Sequence, residues 1–388
     1  MKILCFRRAV AGLFAIALMA TQALAQDATD FETKAEQALM VEASTGTILL
    51  SKGQAQTIPP ASLAKLMTME VVFDALTKGE ISLDTEYTVS EHAWRTGGAP
   101  SRTSTMFAAI KSSIRVDDLI RGVIIQMAND GCIILAEGME GSEEAFAARM
   151  NLRATEIGMK DSHFANPTGL PDPQNKTTLA DMVTLARHLH TAYPQYYSLY
   201  ATPDFEWNNI FQRNRNRLLY TDLGVDGLAT GYADESGFAI VVSAERNGVR
   251  LFLGLSGLKN DRERNEEAIR VLQWGQTNFE RKSVFKKGEV IGQASVYGSA
   301  EGHVDLLTVA PVEVYVPVLD PNPLSGRIVY HWPLRPPVRS GQEIAQLRVF
   351  SGDRLLREVP LETASAVGVG TLRQRAMDAI IEMLFFWL

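Results

Sequence analysis

Residues 60–68 read "PASLAKLMT". A serine stands three residues ahead of a lysine, behind a proline pair and at the head of an apolar run. From Ala61 the residues Leu63, Leu66, Met67, Met69, Val72 and Phe73 recur at helical spacing. Ser62 therefore opens a helix, and Lys65 lies one turn along on the same face. A serine nucleophile with lysine as its base is the chemistry this pairing suggests. The same S-x-x-K spacing recurs at Ser256/Lys259 and Ser283/Lys286, so position has to select among the three. Ser256 falls near a strand end and Ser283 at a change of texture in the chain. Only Ser62 heads a helix.

Working outward, residues 37–50 alternate around Ser44-Thr45-Gly46 and read as a hairpin ahead of that helix. Helical spacing runs through 116–138 and 143–157. It returns at 178–190, where Thr178 and Asp181 resemble a capping box. Strand character resumes at 225–230, then in two apolar runs around Asn247-Gly248, a strong hairpin signal. A further helix covers 264–280. Beyond 283 the chain breaks into short Val-rich stretches such as "VEVYVPV" and "IAQLRVF", separated by Pro, Gly and Asp. The expectation is an α+β domain over 26–282 and a small all-β domain over 283–365.

The first 25 residues carry Lys2, Arg7 and Arg8 ahead of a short apolar segment and the small-x-small triplet Ala23-Leu24-Ala25. That is the pattern of a cleaved secretory leader. Its removal takes the net charge from −7 to −10, which excludes a basic nucleic-acid binder. Cys132 is then the single cysteine, so no intramolecular disulfide can form in an oxidising compartment. With 46% hydrophobic residues, stability has to come from buried cores.

Rival chemistries lack their residues. There is no H-E-x-x-H and no Cys/His cluster, and His188 and His190 fall on different helix faces, so no metal site is expected. A G-x-S-x-G elbow, a P-loop and a dinucleotide fingerprint are all missing. No cofactor is called for. A lysine-assisted serine acyl enzyme remains.

Four further segments accompany Ser62-x-x-Lys65: "AWRTGGAPS" (93–101), "IIQMANDGCIILAEG" (124–138), "HFANPTGLPDP" (163–173) and "GVDGLATGYADESGF" (224–238). In this order they resemble the D-alanyl-D-alanine carboxypeptidases, low-molecular-mass penicillin-binding proteins of the serine-lysine class. The likeness runs from about residue 33 to 281, and more loosely over the β domain and tail. It implies a penicillin-binding fold, with helices on an antiparallel sheet. It implies that Ser62 attacks the bond between the two terminal D-alanines of a peptidoglycan stem peptide, with neutral Lys65 taking its proton. The backbone N–H groups of Ser62 and of the strand near Tyr232 would hold the oxyanion, and β-lactams would acylate the same serine.

Two motif positions depart from that family. Its S-x-N becomes Met127-Ala128-Asn129, and its K-T-G becomes Ala229-Thr230-Gly231. Asn129, Thr230 and Gly231 persist, but a relay hydroxyl and a second ammonium are gone. Each lost contact to a charged group is worth about 1.5–3 kcal/mol. Together they imply turnover slowed by roughly 10²–10⁴ if the losses add. Arg250, at the start of the strand after Asn247-Gly248, matches a position where the resemblance implies an arginine that helps hold the substrate carboxylate, a partial substitute. The other reading of this residue is an ordinary exposed strand charge. The alternative is a weak or inactive wall-binding protein that uses the same groove.

Residues 371–388 complete the expectation. Ala376, Ala379, Ile380, Met383, Leu384 and Trp387 share one helical face, while Gln374, Asp378 and Glu382 share the other. The apolar end is too short to span a bilayer. An interfacial helix is expected, with Phe385, Phe386 and Trp387 at the boundary of the inner membrane, holding the protein on its periplasmic side; the alternative is a helix docked on the β domain.

Overall fold

The structure, a computed structural model, describes residues 31–318 and 322–385. The leader over 1–25, and Phe386 and Trp387 at the other end, lie outside the described residues.

Strands β1 (Gln37–Glu42), β2 (Ile48–Lys52), β3 (Val225–Ala233), β4 (Gly237–Arg246) and β5 (Val249–Leu258) form one antiparallel sheet in the order β2-β1-β5-β4-β3. Period-two alternation serves both faces. Leu39, Val41, Leu228, Val241 and Phe252 point to one core, and Ala38, Met40, Ile240, Val242 and Leu253 to another. Helices α1 (Ala64–Lys78), α2 (Val116–Gln126), α3 (Asn129–Glu140), α4 (Glu143–Glu156) and α5 (Leu179–Ala192) supply the first core. Helix α6 (Asp261–Thr277) covers the opposite face with Ala268, Val271 and Leu272. Asn247 and Gly248 both adopt positive φ, as the turn between β4 and β5 requires.

Helix α1 is the axis of the domain, because every residue from Ala64 to Ala75 is buried. Burying a charge there demands partners. Glu70 receives Arg153 Nη2 at 2.5 Å and the Tyr193 hydroxyl at 3.1 Å. Burial alone would raise its carboxyl, yet the adjacent His188 imidazole, 3.4 Å away, and the hydrogen-bonded Arg153 hold it below the usual range. The nucleophile thus sits at the head of a fixed element.

The helical stretch over 116–138 is interrupted. Met127 takes the left-handed conformation (φ 58°, ψ 40°) as the C-cap of α2, Ala128 is extended, and α3 starts at Asn129. A left-handed conformation costs a non-glycine residue about 1–2 kcal/mol. The sequence periodicity is the same on both sides of the break, so spacing alone hid it. Its consequence is to aim Met127 and Asn129 at the head of α1.

The second domain is all β, as its texture implied. Its strand β6 (Phe279–Phe285) pairs with β9 (Val312–Pro317). A five-stranded sheet follows the order β7-β8-β12-β11-β10, from β7 (Val290–Ser295), β8 (His303–Thr308), β10 (Leu324–Tyr330), β11 (Glu343–Ser351) and β12 (Arg354–Thr363). Leu306, Val314, Leu347, Leu356 and Leu361 fill its core. It meets the first domain at the β1–β2 hairpin, where Tyr315 N donates to Thr47 Oγ1 (3.1 Å) and Arg354 to the Ile48 carbonyl (3.0 Å). Helix α7 (Leu372–Phe385) ends the described chain.

Candidate active site

The nucleophile turn is built tightly. Ala61 has φ 46°, a short 3₁₀ turn spans Ala61–Leu63, and α1 continues from it. Lys65 Nζ lies 3.1 Å from Ser62 Oγ and donates to the Thr168 carbonyl at 2.5 Å. The loop carrying Thr168 is pressed against the turn. A Cβ on Gly169 would fall 1.7 Å from the Ala61 carbonyl oxygen, so only glycine fits. Asn166 braces this loop by accepting from Thr168 Oγ1 and the Gly169 N–H.

Lys65 is 2% exposed. Burial pushes its ammonium down to about 8, while Cys132 pulls weakly the other way. A lysine held near 8 is neutral often enough to accept a proton from the serine. Burial pushes the Cys132 thiol up to about 12, so it remains a protonated, inert neighbour.

Asn129 is tied to the groove wall through its backbone N–H, which donates to the carbonyl of the groove residue Ser104 (2.8 Å). Its Nδ2 donates to Thr103 Oγ1 (2.9 Å), and its Oδ1 is buried with no partner among the described residues. An incoming N–H would therefore meet a ready acceptor.

Strand β3 forms the other wall. It is an edge strand, so alternate backbone groups face outward toward the groove rather than a neighbouring strand. Thr230, Gly231 and Tyr232 line this groove of about 870 Å³ together with Ser62 and Met127. Gly231 lets the strand approach closely, since a Cβ there would lie 3.2 Å from the Leu63 side chain.

The two substituted positions meet in space. Met127 and Ala229 are 5% and 2% exposed, and both line a void of about 10 Å³ with Lys65 and Tyr200. That volume accommodates no more than a water molecule. Met127 occupies the neighbourhood into which a longer residue at 229 would have to extend.

Arg250 is not brought to the groove. In the β4–β5 register it sits opposite Glu245, five residues from Ile240, the partner of Thr230. That separation is about 17 Å along a strand. Its guanidinium is committed to Asp226 Oδ2 (2.7 Å), Glu245 Oε2 (2.6 Å) and Ser243 Oγ (2.6 Å). The groove draws its positive charge from elsewhere, from Arg213, Arg215, Arg217 and Arg264. Arg264, in the first turns of α6, is 7% exposed, and the spacing that marks a helix over 264–280 assigns it no role. Its usable signal was an arginine just past the Asn260 cap, where an ordinary charged face would stay in water. Thr103 and Ser104 were missed too, because "SRTST" has no periodicity to place it.

The other serine–lysine spacings serve the fold. Ser256 is buried in β5 and donates to the Ser236 carbonyl (3.3 Å), while Ser283 and Lys286 are exposed around β6. Among the described residues only Ser62 and Lys65 of the three pairs are in hydrogen-bond contact.

Comparison with known proteins agrees with this geometry. The family model described as D-alanyl-D-alanine carboxypeptidase matches residues 21–257, and that of the penicillin-binding protein 5 C-terminal domain matches 279–368. D-alanyl-D-alanine carboxypeptidase DacD of Salmonella typhimurium is 31% identical over 376 residues, spanning 95% of this chain and 96% of its own. DacC of Escherichia coli is 31% identical over 90% of this chain and 88% of its own. The crystal structure of penicillin binding protein 5 from Haemophilus influenzae superposes with a TM-score of 0.71 at 30% identity, covering 87% of this chain and 98% of that one. The antiparallel sheet, the serine–lysine head of α1 and these matches over both domains place the chain in the D-alanyl-D-alanine carboxypeptidase family of low-molecular-mass penicillin-binding proteins.

Proposed function

We propose that the protein trims the terminal D-alanine from peptidoglycan stem peptides through a Ser62 acyl enzyme, at a reduced rate. The 3.1 Å contact between Lys65 Nζ and Ser62 Oγ carries the reading. The peptide lies along the free edge of β3 as an added strand. Arg264 and Thr230 face its terminal carboxylate, and Asn129 Oδ1 accepts a peptide N–H.

Neutral Lys65 takes the Ser62 proton as Oγ bonds to the carbonyl carbon. The Ser62 and Tyr232 N–H groups hold the oxyanion. The C–N bond breaks, and the departing D-alanine amine must collect a proton. A motif serine would relay it; Met127 cannot, so Lys65 has to deliver it directly. Water then cleaves the ester and restores the Ser62 hydroxyl. A β-lactam enters by the same attack, and its tethered leaving group stays in the groove.

Because neutral Lys65 is the base, acylation by a labelled penicillin should quicken as pH rises toward about 8 and level off above it. Below that value the ammonium dominates and cannot accept a proton. A rate unchanged from about pH 6 to 9 would remove Lys65 from this role. The direct assay is D-alanine release from a stem pentapeptide.

The second reading, a binding protein on the same groove, draws on the packing of Met127 and Ala229 around Lys65. Under it, the wild-type protein binds the pentapeptide without releasing D-alanine.

Helix α7 is assigned to the membrane surface. Among the described residues no helix is long and apolar enough to cross a bilayer. Leu372, Ala376, Met377 and Ala379 are exposed, while Gln374 anchors the helix start to the Ala300 carbonyl (2.9 Å). Exposed apolar side chains favour an interfacial role over docking on the β domain. Deleting residues 372–388 should move the exported protein from the membrane fraction to the soluble fraction. Unchanged fractionation would sink this assignment.

A further inference from the structure

A carboxylate in the first turn of a helix ordinarily serves that helix's own N-terminus from the water side. Asp130, in the first turn of α3, is fully buried instead, and among the described residues no ion pair offsets that burial. Four hydrogen bonds do so. Its Oδ1 accepts from the Met106 and Gly131 N–H groups (3.0 Å each), and its Oδ2 from Thr105 Oγ1 (2.5 Å) and the Ala108 N–H (3.0 Å). Only Gly131 belongs to α3. The other three donors come from the loop over 104–108, so one carboxylate joins two segments.

The groove wall hangs from this joint. Asn129 donates its N–H to the Ser104 carbonyl (2.8 Å) and its Nδ2 to Thr103 Oγ1 (2.9 Å). The second bond fixes the amide with Oδ1 as its unpartnered end. Phe107 sits between the tied N–H groups of Met106 and Ala108 and takes φ 62°, a left-handed conformation that a bulky side chain adopts only under constraint. Its carbonyl accepts from Asn208 Nδ2 (2.8 Å), and the Met106 carbonyl accepts from Gln212 Nε2 (3.3 Å). Those two bonds carry the hairpin of Asp204–Trp207 and Ile210–Arg213. Residues 210–213 of the hairpin line the groove together with Ser104 and Phe107. Behind the joint, a Cβ on Gly97 would fall 2.4 Å from the Asp130 backbone nitrogen, so the head of α3 has no room to retreat. Ser62 and Lys65, by contrast, are held to each other and to the Thr168 carbonyl, and none of the bonds at Asp130 reaches them.

We propose that Asp130 is a positioning residue for the groove. Its carboxylate holds the 103–108 loop, and through it the Asn129 amide and the 204–213 hairpin, in register with Ser62. Buried as it is, Asp130 does not touch substrate. The proposal rests on the carboxypeptidase reading above and separates two functions within it: grip on the peptide depends on Asp130, and the reactivity of Ser62 does not. An asparagine at 130 would keep the shape but offer a single acceptor oxygen, so in either orientation its amide NH₂ faces at least one backbone N–H. The loop then loosens, and the Asn129 amide loses its fixed direction.

The test reads binding and base ionisation separately. In Ser62→Ala protein, which binds without turnover, adding Asp130→Asn should weaken calorimetric binding of an N-acyl-Lys-D-Ala-D-Ala peptide roughly tenfold. With Ser62 intact, the pH midpoint of acylation by a labelled penicillin should stay at about 8 in Asp130→Asn, because Lys65 keeps its surroundings. Thr105→Val removes one donor and leaves the carboxylate in place, so it should weaken peptide binding only about threefold. Where Asp130→Asn does not fold, Thr105→Val carries the same two readings. Unchanged peptide affinity in the variant overturns the positioning role and leaves the carboxypeptidase reading standing. A midpoint that moves along with the affinity would mean general loosening of the domain, and it overturns the role as well. Failure of the peptide to bind the Ser62→Ala protein at all overturns the carboxypeptidase reading, and the positioning role with it.

Discussion

Changing Met127 to serine and Ala229 to lysine together is expected to raise D-alanine release from a stem peptide by roughly 10²–10⁴. The range converts two lost charge-assisted contacts at about 1.5–3 kcal/mol each. The structure adds that the two changes depend on each other. Only about 10 Å³ is open between Lys65, Met127 and Ala229. A lysine placed at 229 alone would overpack the site, at about 1–3 kcal/mol, and bury a second ammonium beside Lys65. Serine placed at 127 alone would leave a hole where a thioether had packed. Each single variant should therefore melt below the parent and recover little activity. In the pair, the serine opens room for the lysine, whose charge pushes the Lys65 pKa further down. The acylation profile should move to lower pH accordingly. Thermal melts and D-alanine release of the four proteins test this together. Two single variants that melt like the parent, with gains that multiply, would show the sites to be independent. A double variant that folds, takes up penicillin and releases nothing would favour the binding-protein reading.

Ser62→Ala should abolish covalent labelling by penicillin altogether, whereas the parent labels on prolonged incubation. The nucleophile, its base, Asn129 and Thr230 all line or adjoin one groove. The strained β-lactam amide asks less of the leaving-group relay than a peptide does, so the loss at Met127 should affect acylation less than turnover. Gel fluorescence after incubation with a labelled penicillin reads the result. Label that persists in Ser62→Ala would identify another nucleophile. A parent that never labels would mean that Met127 blocks the approach to Ser62 as well as the relay.

The residues that announce themselves in the sequence are those whose neighbours are close along the chain. Ser62 and Lys65 are one helical turn apart, and the Asn247-Gly248 hairpin is set by two adjacent residues. The α+β order and the β domain followed from periodicity and texture for the same reason. What escaped depends on register and on loop-to-loop packing. Arg250 looked free at the head of a strand, but the antiparallel register places Glu245 opposite and Asp226 within reach. Helical spacing alone assigns Arg264 no role, yet it is buried and lines the groove with Thr230 and Gly231 of the β3 edge. The joint fate of Met127 and Ala229, about a hundred residues apart in sequence, becomes visible only when both are seen against Lys65.

Cys132 gives the molecule a clock. Among the described residues it is the single thiol, it lies under the nucleophile helix at 0% exposure, and its proton is held by burial. An alkylating reagent in solution can reach it only through openings that expose α3. The speed of alkylation thus counts how often the helical half of the domain comes apart. Because α3 also begins with Asn129, whose N–H is held by the groove residue Ser104, a ligand that braces the groove should slow that count from within. Occupancy of the site becomes readable as the lifetime of one sulfur atom in the dark.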